Sequence, residues 1–137
     1  MSSIRNKSTK PEVRLKKALF NMGFRYRINV KALPGSPDIV LPKYRVVIFV
    51  NGCFWHGHDS CTRAITPKSN KNFWKNKIAI NKKRDSENIL KLEQLGWNVI
   101  SVWDCEMKNS KLFMEKLIEI SQQIINAAVL KTDNILI

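Results

Sequence analysis

Apolar and polar positions along the chain predict the order helix, three strands, helix, strand, helix. Val13, Leu15, Ala18, Leu19 and Met22 supply the apolar face of a first helix that follows Thr9-Lys10-Pro11-Glu12. There Thr9 reads as the N-cap, Pro11 tolerates the first turn, and Glu12 completes a capping box. Gly23 marks the stop. Phe24, Tyr26, Ile28 and Val30 then alternate with Arg25, Arg27 and Asn29, which is the pattern of a half-exposed strand with a basic outer face. Pro34-Gly35-Ser36-Pro37 reads as a turn, Asp38-Ile39-Val40-Leu41 as a short strand, and Pro42-Lys43 as a second turn. Tyr44 to Val50 is a longer strand. Its run Val46-Val47-Ile48-Phe49-Val50 is apolar at every position, as a central strand covered on both faces requires.

Thr66 to Asn72 is a polar connector. The next helix is expected from Phe73 to Leu95, with Ile78, Ile89, Leu92 and Leu95 facing inward and Gly96 closing it. Trp97 to Trp103 is another apolar strand. Ser110 to Ala128 is a last amphipathic helix with Leu117, Ile120 and Ile124 on its core side. A helix between the third and fourth strands permits a parallel crossover. These elements define an α/β fold, a sheet flanked by helices. The 137 residues make one domain with a single core, without an internal repeat.

Charge narrows the function. Lys and Arg number 24 against 11 Asp and Glu, a net +13, with a pI near 10.0. The first 45 residues hold 11 basic and two acidic side chains, whereas the segment after Cys105 holds four of each. Such a field attracts polyanions and raises their encounter rate. No basic amphipathic helix with a clean apolar face points to a membrane surface, so nucleic acid is the favoured partner. Met1 to Ser8, polar and basic, reads as a flexible arm that orders on its ligand. No apolar run approaches a membrane span, no secretory leader opens the chain, and an odd count of three cysteines argues for a reducing compartment.

Two of those cysteines and both histidines fall in V-N-G-C-F-W-H-G-H-D-S-C, from Val50 to Cys61. Cys53, His58, Cys61 and the distant Cys105 make a Cys3His set, the number and type of ligands of a closed tetrahedral zinc site. Phe54, Trp55 and His56, between the ligands, are then left to face a partner. Asp38 lies where a turn enters a strand, and the following strand ends at Val50-Asn51. A hairpin would bring the Asp38 carboxylate beside the Val50 carbonyl, an oxygen donor set suited to Mg²⁺. At a phosphodiester Mg²⁺ polarises the phosphoryl oxygen and supplies or orients the nucleophile. His56 is available as general base or acid near neutral pH. Glu12 could orient its imidazole or hydrogen-bond water on the metal.

P-G-S-P-D-I-V-L-P-K-Y-R-V-V-I-F-V-N-G-C-F-W-H-G-H, followed by N-F-W-K-N-K-I, L-G-W-N-V and V-W-D-C, closely resembles the very-short-patch-repair endonucleases over essentially Ile4 to Asn109. The resemblance implies a restriction-endonuclease-like mixed sheet and a bacterial, cytoplasmic enzyme. That enzyme, expected as a monomer, would nick one strand of double-stranded DNA beside a T:G mismatch, leave a 5′-phosphate, and hand over to other repair proteins. It implies Asp38 as the Mg²⁺ ligand with the Val50 carbonyl, His56 as the catalytic histidine, and Glu12 as its acidic companion. It implies Cys53, His58, Cys61 and Cys105 as zinc ligands, and Phe54, Trp55 and Trp74 as aromatics that wedge into the duplex. Such wedges unstack a base step at a cost of about a few kcal/mol, less at a mismatch. Lys82 and Lys83, on the basic face of the long helix, are expected at phosphates.

Three positions depart from the pattern. Asn51 stands where some members carry a second histidine, and an amide can hydrogen-bond phosphate but exchanges no proton near pH 7. Ser60 lengthens the gap between loop ligands. Met1 begins close to the first helix, where some members have a longer arm, so less DNA would be gripped from that side. A related restriction-type or partner-dependent nickase, or a non-catalytic zinc module that binds DNA, are the alternative readings. Asp38, His56 and Glu12 argue against the last.

Overall fold

Gly23 and Gly96 each end a helix by letting the chain turn back on itself. The computed structural model describes residues 10–28, 30–52 and 70–136, the last eight by backbone alone. In it α1 spans Lys10–Asn21 and α2 spans Lys71–Gln94. Gly23 takes φ +99° and Gly96 φ +92°, left-handed values that strain any side chain. After α1, the amides of Phe24 and Gly23 donate to the carbonyls of Leu19 and Phe20, both at 3.0 Å. After α2, those of Trp97 and Gly96 donate to Leu92 and Glu93, again at 3.0 Å. Carbonyls that helix ends otherwise leave unsatisfied thereby find donors.

The strands are β1 (Arg27–Ile28), β2 (Ile39–Leu41), β3 (Val46–Asn51) and β4 (Asn98–Trp103). They form a mixed sheet in the order β1-β2-β3-β4. β1 and β3 run antiparallel to β2, while β4 runs parallel to β3 from Val46↔Asn98 to Asn51↔Trp103. A parallel neighbour cannot be reached by a tight turn. α2 lies in the connection that makes the crossover, as expected.

Alternation along the strands divides the core into two layers. Ile39, Leu41, Val46, Ile48, Ile100 and Val102 cluster with Leu15 and Leu19 of α1 and with Leu117, Ile120 and Ile124 of α3 (Ser110–Leu136). Val40 and Val47 turn the other way and pack with Leu92 of α2, beside the partly buried Phe49, Trp97 and Val99. This explains why β3 is apolar at every position from Val46 to Val50. Each fully buried Leu or Ile contributes about 1.5–3 kcal/mol relative to an exposed one.

Several expectations change. β1 pairs over two residues only, and Ile28 is 50% exposed. Its partner β2 is three residues long, and the turn before it ends in a proline, which lacks an N–H to extend the ladder. Phe24 is buried nonetheless, as part of the core rather than of a strand. Met22 and Leu95, assigned inward, are exposed. Both lie past the last helical residue, where the chain is already turning toward its glycine. Ile78 and Ile89 are half-buried, so α2 seats its C-terminal half on the sheet through Leu92. α3 runs eight residues beyond Ala128. The basic arm, Thr9 of the capping box and most of the zinc loop lie outside the described residues.

Candidate active site

The turn between β1 and β2 delivers Asp38 to the end of the sheet. Gly35 and Ser36 both take positive φ, +77° and +46°, and Pro37 is buried directly before the carboxylate. Register pairs Ile39 with Ile48, so the residue just before β2 reaches past Phe49 toward Val50. The Val50 amide donates to Asp38 Oδ2 at 2.7 Å. A strand residue presents its N–H and C=O toward the same neighbour, so the Val50 carbonyl leaves β3 on the Asp38 side as well. The two residues singled out from the sequence as oxygen donors are therefore brought together.

Glu12 reaches the same place from α1. It is buried, and its Oε2 accepts a hydrogen bond from Lys16 Nζ one turn on, at 2.6 Å, inside the protein rather than at its surface. Its carboxyl group is also close enough to Asp38 to share a hydrogen bond with it. Burial pushes the Asp38 carboxyl up from 3.8 to about 6. The Val50 amide works against that rise, Glu12 adds to it through charge and hydrogen bonding, and Lys16 opposes it. Two carboxyl groups crowded at one buried point suit a site that gathers positive charge.

A cleft of about 180 Å³ opens beside this group. Asp38, Val50 and Asn51 line it from the sheet end, Gly35 and Ser36 from the turn, and Asp85, Asn88 and Ile89 from α2. Asn51, the last residue of β3, is buried there. Sequence reasoning passed over Lys16, Asp85 and Asn88. A signal existed for each. Lys16 follows Glu12 by four residues on the inward stripe with Leu15 and Leu19. Asp85 and Asn88 share helical spacing with Ile89 and Leu92, polar groups on a stripe whose end is core.

Cys105 lies in a single 3₁₀ turn, Asp104–Met107, directly after β4. The Trp103 amide donates to Glu106 at 2.8 Å, and Glu106 is ion-paired with Lys116 of α3 at 3.0 Å. The turn is thus tied at both ends, which holds the half-buried cysteine at a set position. Its companions Cys53, His58 and Cys61, together with Phe54, Trp55 and His56, lie outside the described residues. Among the described residues no three metal-ligating side chains converge.

Trp74 sits in the first turn of α2, half-buried, with the exposed Phe73 ring edge-to-face against it at 5.1 Å. The first fourteen residues of that helix, from 71 to 84, carry six basic side chains and no acidic one. Lys82 is half-buried and Lys83 exposed. A basic helix face leading from an aromatic pair to an acidic cleft can hold a phosphate backbone and present one phosphodiester to carboxylates. Among the described residues no helix is long and apolar enough to cross a membrane.

The chain is similar in sequence to known proteins. A family model described as DNA mismatch endonuclease Vsr matches residues 1–63. The chain is 50% identical to the type II nicking enzyme V.NmeAIP of Neisseria meningitidis, over 93% of this chain and 90% of that protein. It is 44% identical to the type II nicking enzyme V.XorIIP of Xanthomonas oryzae, over 80% of this chain and 79% of the relative. It is 41% identical to the DNA mismatch endonuclease Vsr of Escherichia coli, over 87% of this chain and 76% of the relative.

Proposed function

The chain belongs to the Vsr family of DNA endonucleases, and from that premise we propose that it is a Mg²⁺-dependent enzyme nicking one strand of DNA beside a T:G mismatch. The single observation that carries the reading is the meeting of Asp38, Val50 and Glu12, the first two of which line one cleft. Relatives named as nicking enzymes support cleavage of one strand, and the relative named as a mismatch endonuclease supports the substrate.

The donor chemistry fits a hard divalent cation. Asp38 offers a carboxylate and Val50 a carbonyl, with a second carboxyl group, Glu12, beside them, and oxygen ligands of this kind are what Mg²⁺ takes. Asp38 and Val50 would hold the ion, which when bound supplies Lewis-acid polarisation of the phosphate and an activated water. The chain's own residues do the rest. The Val50 amide orients the Asp38 carboxylate. Asn51, as an amide, would hydrogen-bond a phosphate oxygen without exchanging a proton. His56 would take the proton from the attacking water as general base while the P–O3′ bond breaks. The phosphate stays on the 5′ end, and the 3′ oxygen takes a proton from solvent to leave as a hydroxyl.

Cys105, with Cys53, His58 and Cys61, would hold a structural Zn²⁺, since three thiols and an imidazole are a soft, closed donor set. The zinc would staple the loop after β3 to the turn after β4. Phe54, Trp55 and Trp74 would insert at the mismatch, where stacking is already weak. Lys82 and Lys83 would contact phosphates. The enzyme would act as a monomer in the cytoplasm, its product passing to other repair proteins.

The test is a nicking assay on otherwise identical T:G and matched duplexes, with and without Mg²⁺, across varied flanking bases. Strand-specific nicking of T:G duplexes only with Mg²⁺ is the expected result. Cleavage of matched DNA at a fixed sequence would instead make the enzyme a restriction-type nickase.

A further inference from the structure

Four residues of α1 point fully inward, Glu12, Leu15, Lys16 and Leu19, and two of the four carry charge. Lys and Glu are almost never buried unless paired. Here the pair is made within one turn, at 2.6 Å, and it is set against Asp38 rather than against solvent. A surface ion pair of the same spacing would contribute little and have no partner to act on. This one places an ammonium against the Glu12 carboxyl group and within electrostatic reach of Asp38, which lines the cleft.

We propose that Lys16 is a positioning residue whose fixed positive charge holds Glu12 and Asp38 together and sets how tightly the site binds its divalent cation. The inference rests on the reading of Asp38 as the residue that holds that cation. With both carboxylates ionised, Glu12, Asp38 and Lys16 sum to one negative charge. Without Lys16 the same cluster carries two. A unit charge a few ångströms away changes a cation's affinity by roughly tenfold or more at the effective dielectric of a partly buried site. Lys16 therefore keeps the ion from being held too firmly by the protein alone, so that substrate phosphate contributes to its retention. Asp85, across the cleft, adds the same charge in every variant compared below.

Mn²⁺ binding to the DNA-free protein at pH 8, followed by loss of the free-ion electron paramagnetic resonance signal, tests this without reference to activity. Asp38→Ala serves to subtract binding elsewhere. The cluster charge is −2 in Lys16→Met, −1 in the unsubstituted protein, −1 in the double variant Glu12→Gln/Lys16→Met, and 0 in Glu12→Gln. Affinity is expected to follow that order, about tenfold tighter for Lys16→Met and about tenfold weaker for Glu12→Gln. The double variant should return near the starting value, and Lys16→Arg should stay there. A purely structural Lys16 would make both single variants weaker, and that result overturns the proposal. If Lys16→Met does not fold, the double variant against Glu12→Gln asks the same question, since it buries no uncompensated partner; equal affinities there also overturn it. Absence of any Asp38-dependent Mn²⁺ binding in the unsubstituted protein would overturn the metal reading and this inference together. A flat series with Asp38 dependence intact would overturn this inference alone.

Discussion

The Val50 amide donates to Asp38 Oδ2 at 2.7 Å, although the two residues are twelve apart, one just before β2 and the other on β3. A backbone donor on a central strand cannot swing away, so the carboxylate is fixed as firmly as the sheet itself. Removing that carboxylate should abolish nicking. Asp38→Ala is expected to keep or slightly raise DNA affinity, because a negative charge near phosphate is lost, while single-turnover nicking falls to background. His56→Ala should slow nicking by on the order of 10² or more, the scale of general acid–base catalysis. Parent-like nicking by either variant refutes the role assigned to it.

The same carboxylate makes stability depend on pH. Its pKa in the folded protein is raised from 3.8 to about 6, first by burial, so the folded chain binds a proton more tightly than the unfolded chain. The resulting stabilisation is complete below about pH 4 and is lost as pH rises through about 6. Asp38→Asn, which cannot ionise, should therefore be more stable than the parent at pH 7.5, by on the order of 2–3 kcal/mol at most, with the gap closing by pH 4. Thermal melts of both proteins without added Mg²⁺ and without chelator, so that zinc is retained, measure it at several pH values. A constant gap between pH 4 and 7.5 would contradict the raised pKa.

Cys105 should matter for folding, not chemistry. The purified protein is expected to hold about one zinc per chain, and Cys105→Ala to lose it together with much of its stability, because structural zinc binding is coupled to folding. Metal analysis and thermal melts report both. A stable, metal-free protein would remove the zinc assignment.

Mismatch recognition and electrostatics should separate in salt. Trp74→Ala or Trp55→Ala should weaken binding to a T:G duplex more than to the matched duplex, with little change in salt slope, since neither ring carries charge. Lys83→Ala should weaken both equally and make the slope shallower by up to about one unit. Lys82→Ala is expected to behave likewise. Affinities of each variant on both duplexes at two salt concentrations distinguish the two kinds of contact.

Among the described residues of α2, Leu92 is the one fully buried, and it lies one turn beyond Asn88 and Ile89 of the cleft wall. Leu92→Ala is expected to cost about 2–5 kcal/mol and to loosen that wall. Urea denaturation gives the first quantity. Hydrogen exchange along α2, compared with the parent, gives the second.

Local pattern determined a good deal of this protein. Glycines after apolar helical stripes located the ends of α1 and α2, because left-handed backbone is a property of one residue and its neighbours. The unbroken apolar run of β3 announced a strand covered on both faces, and the helix between β3 and β4 announced a parallel crossover. Asp38 and Val50 could be paired in advance, since a short hairpin leaves few registers. The family was legible as well, from contiguous motifs spanning most of the chain. Tertiary structure alone decided what crosses between elements. Periodicity marked Glu12 only as a cap residue and left Lys16 without a role, because spacing along a helix does not say which carboxylate lies opposite it. Nor could it say that β1 would shrink to two residues, or that Asp85 and Asn88 would face the cleft. Those outcomes depend on how β2's shortness and α2's placement divide the space at the end of the sheet, and that space exists only once the layers have packed.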